Sequence, residues 1–276
     1  MKYSRILTIQ DISCLGQCSM TVALPILSAC GQETCIIPSA VLSTHTGGFV
    51  GPHIRDISMD ISAIREHWQR EHVSFDAIYT GYLGTKEQIG DVSQVFDTML
   101  RPGGKIIVDP AMADHGKLYS GFDMEYAQAM GELCKKADVI LPNLTESCFI
   151  TGCEYREEYD EAYIADVLSR LHAMGMKSVV LTGVSFRKEE TGVMLSDGSH
   201  TYYYRHPKLE RSFHGTGDIY ASAFVGSWIG GKHIEEAIQI AADYACQCIE
   251  ATLSDESHWY GTKFESVIYK LIDALK

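Results

Sequence analysis

The sequence predicts an α/β fold, a mostly parallel central sheet with helices on both faces. Three observations carry that expectation. Strand-like and helix-like segments alternate almost throughout the 276 residues. Several strand candidates are continuously apolar, as in strands covered on both faces. No linker rich in Pro, Gly or Ser and no internal repeat interrupts the chain, so one domain over residues 1–276 is expected.

The elements follow in order. Ile6–Gln10 reads as a strand, Val22–Cys30 has helical spacing, and Thr34–Pro38 is a second strand. Ser43–Asp56 fits neither pattern and is expected as a small flap. Ile57–Arg70 is an amphipathic helix, with Asp56 and Ser58 as candidate caps. Ala77–Thr80 is a short strand and Lys86–Leu100 a helix. Pro102-Gly103-Gly104 turns the chain into the buried strand Lys105–Val108. Asp123–Lys136 is helical, Asp138–Leu141 a strand, and Glu146–Thr151 and Asp160–Met174 are helices. Ser178–Leu181 is another buried strand. Thr191–Leu195 and His200–His206 flank Asp197-Gly198, which marks a late β-hairpin. The helices Asp218–Ile229, Ile234–Leu253 and Lys263–Leu275 complete the chain.

The formal charge is −13, from 23 Lys+Arg against 36 Asp+Glu. That balance argues against a nucleic-acid surface, which needs a basic footprint. No stretch is apolar over the length of a bilayer, and Met1 to Arg5 runs straight into a strand. A cytoplasmic protein with no membrane partner is therefore expected. The nine cysteines lack zinc spacing and read as reduced thiols acting as small apolar residues. Cys14 and Cys18 fall near the expected site.

The tetrapeptide Gly215-Thr216-Gly217-Asp218 precedes a long small-residue apolar stretch. Two glycines and a threonine opening a helix leave free N–H groups at its positive end, a natural seat for an oxyanion or phosphate. Asp218 would repel a phosphate and is better explained as a base for an attacking hydroxyl. That combination points to a small-molecule kinase. There is no G-x-x-x-x-G-K-[ST], and no G-x-G-x-x-G follows the first strand, so neither a P-loop kinase nor a dinucleotide dehydrogenase is expected.

In open parallel sheets ligands collect beyond the carboxyl ends of the strands. The polar residues leaving each strand should converge there. Asp109 and Asp114 follow one strand, and Asn143 and Glu146 the next. Hard oxygen donors of this kind suit Mg²⁺ carried with nucleotide phosphates. Singly, Asp109 and Asn143 read equally as helix caps or turn formers. Thr182-Gly183 offers a hydroxyl and close backbone approach to phosphate oxygens, or ordinary turn chemistry. Tyr82 reads equally as a stacking surface for a flat substrate or as half-buried packing. His45, His53 and His115 lack mutual metal spacing and read as loop histidines.

These segments together resemble the ribokinase superfamily, and its pyridoxal/pyridoxamine kinase branch in particular. The segments are Gly215-Thr216-Gly217-Asp218, Ser43-Thr44-His45-Thr46-Gly47, Gly81-Tyr82-Leu83-Gly84, Asp109-Pro110-Ala111-Met112 and Pro142-Asn143-Leu144-Thr145-Glu146. The resemblance implies ATP-dependent phosphorylation of the 5′-hydroxymethyl group of pyridoxal, pyridoxine or pyridoxamine. It implies Asp218 as base, and Gly215, Thr216 and Gly217 as the anion hole. Asp109, Asn143 and Glu146 would organise phosphates and Mg²⁺, the metal falling to Asp109 and Glu146, with Thr182 and Gly183 beside the nucleotide. Asp11, Thr46 and Tyr82 would line the acceptor pocket, and a homodimer is implied. Asp11 departs from the serine common in the family, and Ala113 stands where a glycine is usual. The same reaction on hydroxymethylpyrimidine, and a non-catalytic binding protein on the same scaffold, are the alternatives carried forward.

Overall fold

Alternation of side chains along buried strands builds the molecule, because each strand feeds two cores at once. In the computed structural model, which describes residues 2–276, Leu7 and Ile9 of the first strand point to one face, and Ile6 points to the other. Ile106 and Val108 likewise oppose Ile107, and Val179 and Leu181 oppose Val180.

The chain runs β1 (Arg5–Ser13), α1 (Met20–Ala29), β2 (Glu33–Leu42), β3 (Ile54–Asp56) and α2 (Ser58–Arg70). It continues through β4 (Phe75–Thr80), α3 (Lys86–Met99), β5 (Leu100–Val108) and a two-rung hairpin, β6 (Ala113–Asp114) and β7 (Lys117–Leu118). Next come α4 (Met124–Lys136), β8 (Val139–Ile140), α5 (Leu144–Thr151), α6 (Glu161–Ala173) and β9 (Val179–Val184). The hairpin β10 (Glu190–Ser196) and β11 (Thr201–Pro207) leads to α7 (Thr216–Ile229), α8 (Ile234–Glu250) and α9 (Ile268–Ala274). The nine-stranded sheet has the order β11-β10-β9-β8-β5-β4-β1-β2-β3. The six strands from β9 to β2 in that order are parallel, and β3, β10 and β11 are antiparallel at the edges. β1 pairs with β2 on one side and β4 on the other, so the strand order reverses there. A crevice beyond the carboxyl ends of β1 and β4 follows from that reversal. Among the described residues, no helix is long and apolar enough to cross a membrane.

The predicted fold class holds, and its boundaries shift for identifiable reasons. β1 runs on to Ser13 because a register shift between Gln10 and Ile12 lets it keep pairing with β2. Asp11 therefore lies inside the bulged strand end. The flap is the loop after β2, which returns as β3 to pair Ala40–Leu42 with Ile54–Asp56. Asp56 accepts the Ser58 N–H at 2.8 Å, an Asx turn that starts α2. Thr85, Asp123 and Asp160 cap α3, α4 and α6 with their side chains. The last predicted helix is broken into a 3-10 turn, Phe264–Val267, followed by α9.

Helix α7 is buried along most of its length and packs on α1 through small residues. A Cβ at Gly226 would fall 2.6 Å from Cys30 Sγ and 2.7 Å from Cys30 Cβ. Gly→Ala inside a helix ordinarily stabilises by about 1 kcal/mol through propensity. Here Gly226→Ala is expected instead to destabilise by about 1–3 kcal/mol through overpacking. Urea denaturation checks the sign, and a stabilised variant would contradict this account of the α1–α7 contact.

Candidate active site

A cavity of about 770 Å³ opens at the carboxyl ends of the parallel strands. The start of α7 forms one wall of it. That helix start needs glycine twice over. Gly215 is left-handed at φ 79°, and a Cβ there would run into the carbonyl oxygen of Gln17. Ile219 N–H bonds back to Gly215 O at 3.0 Å, and no side chain caps the helix. The amides of Thr216, Gly217 and Asp218 precede that first intrahelical bond, so they are left for a guest. The Thr216 hydroxyl is engaged, donating to Phe213 O at 3.1 Å.

Asp218 is fixed from across the cavity. Its Oδ2 accepts the Ser19 N–H at 2.9 Å. Ser19 adopts φ 52°, ψ −125°, a region that costs a non-glycine residue about 1–3 kcal/mol. That strain turns its N–H onto a carboxylate 199 positions away in sequence. Oδ1 of Asp218 has no protein partner among the described residues. Burial pushes the Asp218 carboxyl up to about 7, against the Ser19 N–H and with the charge of Asp11 adding to it.

Asp109 leaves β5 with its own N–H on Thr80 O and its carboxylate unbonded. Asn143 is the N-cap of α5 and forms a capping box with Glu146. Asn143 Oδ1 accepts the Glu146 N–H, and Glu146 Oε2 accepts the Asn143 N–H, both at 2.8 Å. Glu146 Oε1 accepts from Met112 N–H at 3.2 Å, and Asn143 Nδ2 donates to Ala113 O. The capping reading is thus correct for Asn143, and both Glu146 oxygens meet backbone amides. Burial drives Asp109 and Glu146 well above the usual carboxylate range, and for Asp109 the charges of Glu146 and Asp218 add to it. Among the described residues no three His, Cys, Asp or Glu side chains group tightly enough to cage a metal. The unbonded Asp109 carboxylate, facing two other carboxylates, nevertheless suits a cation that takes its remaining ligands from water and phosphate.

Thr182 and Gly183 lie within β9 rather than past its end. Thr182 pairs with Asn143 across an isolated bridge, and its hydroxyl donates to Pro142 O at 3.3 Å. Both residues still face the cavity. Asp11 is only 4% exposed, with Ser13 Oγ donating to its Oδ2 at 3.1 Å. Its carboxyl is raised by burial despite the Ser19 and Ser13 hydrogen bonds. Tyr82 lines the same space, backed by Phe122 at 5.6 Å, which itself stacks on Tyr126. Thr46 is exposed at the mouth. All twelve sequence-predicted site residues therefore border one cavity. Sequence reading missed Ser19 and His214, which line it too. Ser19 carries no local signal, since its role is a backbone N–H. His214 was legible only as the neighbour of Gly215.

Residues 29–262 match the phosphomethylpyrimidine kinase family. The chain belongs to that family. Among similar proteins, the pyridoxine/pyridoxal/pyridoxamine kinase of Bordetella avium is 28% identical over 90% of this chain and 85% of its own. The hydroxymethylpyrimidine/phosphomethylpyrimidine kinase of Bacillus subtilis is 27% identical over 78% of each chain. A Bacteroides thetaiotaomicron structure containing pyridoxal, of a candidate phosphomethylpyrimidine kinase, has TM-score 0.91 at 34% identity, covering 98% of this chain and 96% of that one. Pyridoxal kinase from Lactobacillus plantarum has TM-score 0.90 at 29% identity, covering 98% and 97%. The resemblance to the pyridoxal kinase branch of the ribokinase superfamily is borne out.

The raised carboxyls give this family member a stability signature. A carboxyl whose folded pKa lies above its unfolded value stabilises the fold below about pH 4 and loses that contribution as pH rises through the folded value. Asp11, Asp109, Glu146 and Asp218 all shift upward, Asp218 to about 7. These four carboxyls are expected to lower the melting temperature of the ligand-free protein between about pH 5 and pH 8, opposed by the single His214, whose pKa burial lowers. Asp218→Asn should flatten part of that slope. A melting temperature that rises across this window would contradict the assignment.

Proposed function

We propose that the protein transfers the γ-phosphoryl of ATP to the 5′-hydroxymethyl group of a vitamin B6 vitamer, pyridoxal, pyridoxine or pyridoxamine. The observation that carries this reading is one wall of one cavity. Bare amides from Gly215 to Asp218 stand beside a carboxylate held by Ser19, across from a pocket built of Asp11 and Tyr82.

In this reading the γ-phosphoryl lies on the amides at the start of α7, and the acceptor hydroxyl lies against Asp218. Asp218 takes the hydroxyl proton as the alcohol oxygen bonds to phosphorus. The bond to the β-phosphate oxygen breaks in line, and ADP leaves with that electron pair. Holding both reactants supplies most of the acceleration, because such a transfer asks little covalent work of the protein. Asp109 and Glu146 would hold Mg²⁺, Glu146 through water since both its oxygens already meet amides. When bound, the ion neutralises charge developing on the phosphates. Thr182 and Gly183 border the nucleotide side.

The acceptor ring lies flat on Tyr82, whose far face rests on Phe122. A protonated ring nitrogen presents an N–H to Asp11. The half-apolar wall and single buried carboxylate suit a flat nitrogen heterocycle better than a polyol. Hydroxymethylpyrimidine is the second reading, favoured by the matched family and the Bacillus subtilis relative. Its aminopyrimidine edge also offers donors to Asp11. A homodimer, supported by the resemblance, and a cytoplasmic location, expected from the sequence, are part of the same proposal.

ADP release, measured with each vitamer, with hydroxymethylpyrimidine and with no acceptor, separates these readings. Release with B6 vitamers is expected. Release with the pyrimidine alone favours the second reading, and a silent protein that binds the ligands favours a non-catalytic role. Asp218→Asn is expected to bind ATP but lose about 10²–10⁴-fold in turnover. Turnover near wild type would remove Asp218 as the base. Asp11→Ser should reorder the acceptors while leaving the ATP KM unchanged, and an unaltered ranking would exclude Asp11 from recognition.

A further inference from the structure

His214 belongs to none of the roles above, yet it stands immediately before Gly215 and lines the same cavity. Its ring fills the place where a side chain at residue 47 would go. A Cβ built on Gly47 would lie 2.9 Å from His214 Cγ and nearer still to Nδ1 and Cε1. Gly47 is not in the left-handed region, so its backbone does not demand glycine. The three nearest atoms a side chain at 47 would meet all belong to the ring of His214, itself a solvent-exposed residue.

The segment carrying Gly47 is held on its other side as well. His45 is 5% exposed, and its ring centroid lies 5.2 Å from that of His214. Its Nε2–H donates to Tyr260 O at 2.7 Å, and its Nδ1 accepts the Gly47 N–H at 3.1 Å. Phe49 packs on Trp259 at 4.6 Å. The loop from His45 to Phe49 is thus clasped between the 259–260 segment and the residue that leads into the anion-binding helix.

We propose that His214 is a positioning residue which, through its contact with Gly47, locks the 43–53 loop over the acceptor pocket in register with the phosphoryl-binding start of α7. The proposal rests on the phosphotransfer reading above. Its consequence is coupling. A loop held to the helix start excludes water from the phosphoryl group and fixes the acceptor at one place. A loop released from it admits water and lets the acceptor wander.

Gly47→Ala, His214→Ala and the double variant test this by melting temperature and by kinetics. Gly47→Ala is expected to lower the melting temperature, since its Cβ strikes the ring. In the His214→Ala background the same change should cost little, because the ring is gone. In kinetics, His214→Ala and the double variant should raise acceptor KM by about tenfold or more. ATP KM should stay near wild type, and ADP release without acceptor should rise relative to product. Additive melting shifts, or a His214→Ala enzyme with wild-type acceptor KM and no excess ADP release, would overturn the proposal. A wild-type protein silent toward every acceptor would instead sink the transfer reading and the coupling with it. The melting cycle would still report on the contact.

Discussion

The rest of the site depends on one left-handed glycine at the head of a buried helix. Gly215 turns the chain so that α7 begins with unpaired amides facing the cavity, and its bare Cα lets Gln17 O pass close by. A larger residue would fail on both counts. Because α7 is sealed along its length against α1 and α8, those amides cannot drift. The helix start is rigid, polar and open at once, as an anion seat must be. The strained Ser19 N–H then pins Asp218 beside it.

The cavity is electrostatically incomplete without its ligands. Five carboxylates line it, and burial raises four of them, Asp11, Asp109, Glu146 and Asp218. Nearby backbone amides and the Ser13 hydroxyl offset only part of that load. A cation beside Asp109 and an N–H donor beside Asp11 would relieve the remainder. On the proposed function, such preloading would favour substrate and metal binding at those carboxylates, at a cost in stability of the empty protein.

The layered fold was legible because buried parallel strands and amphipathic helices leave separate periodicities in sequence. So were Asp218 and its glycines, Asn143 with Glu146, and Tyr82, since local motifs carry them. Asp11 was legible as a site residue, but its place inside a bulged strand was not, because the bulge depends on pairing with β2. Thr182 looked like a strand exit and is a strand residue, because β9 continues to pair with β10 beyond it. The Ser19 N–H and the His214–Gly47 contact were invisible. Both are long-range approaches in which the informative atom is a backbone amide or an absent side chain.

The most direct test is a crystal structure of the protein with a non-transferable ATP analogue and pyridoxal. The account predicts the terminal phosphate within about 3 Å of the amides from Gly215 to Asp218, with the 5′-hydroxyl oxygen at hydrogen-bond distance from Asp218 Oδ1. A terminal phosphate seated elsewhere, with the start of α7 left to water, would contradict it.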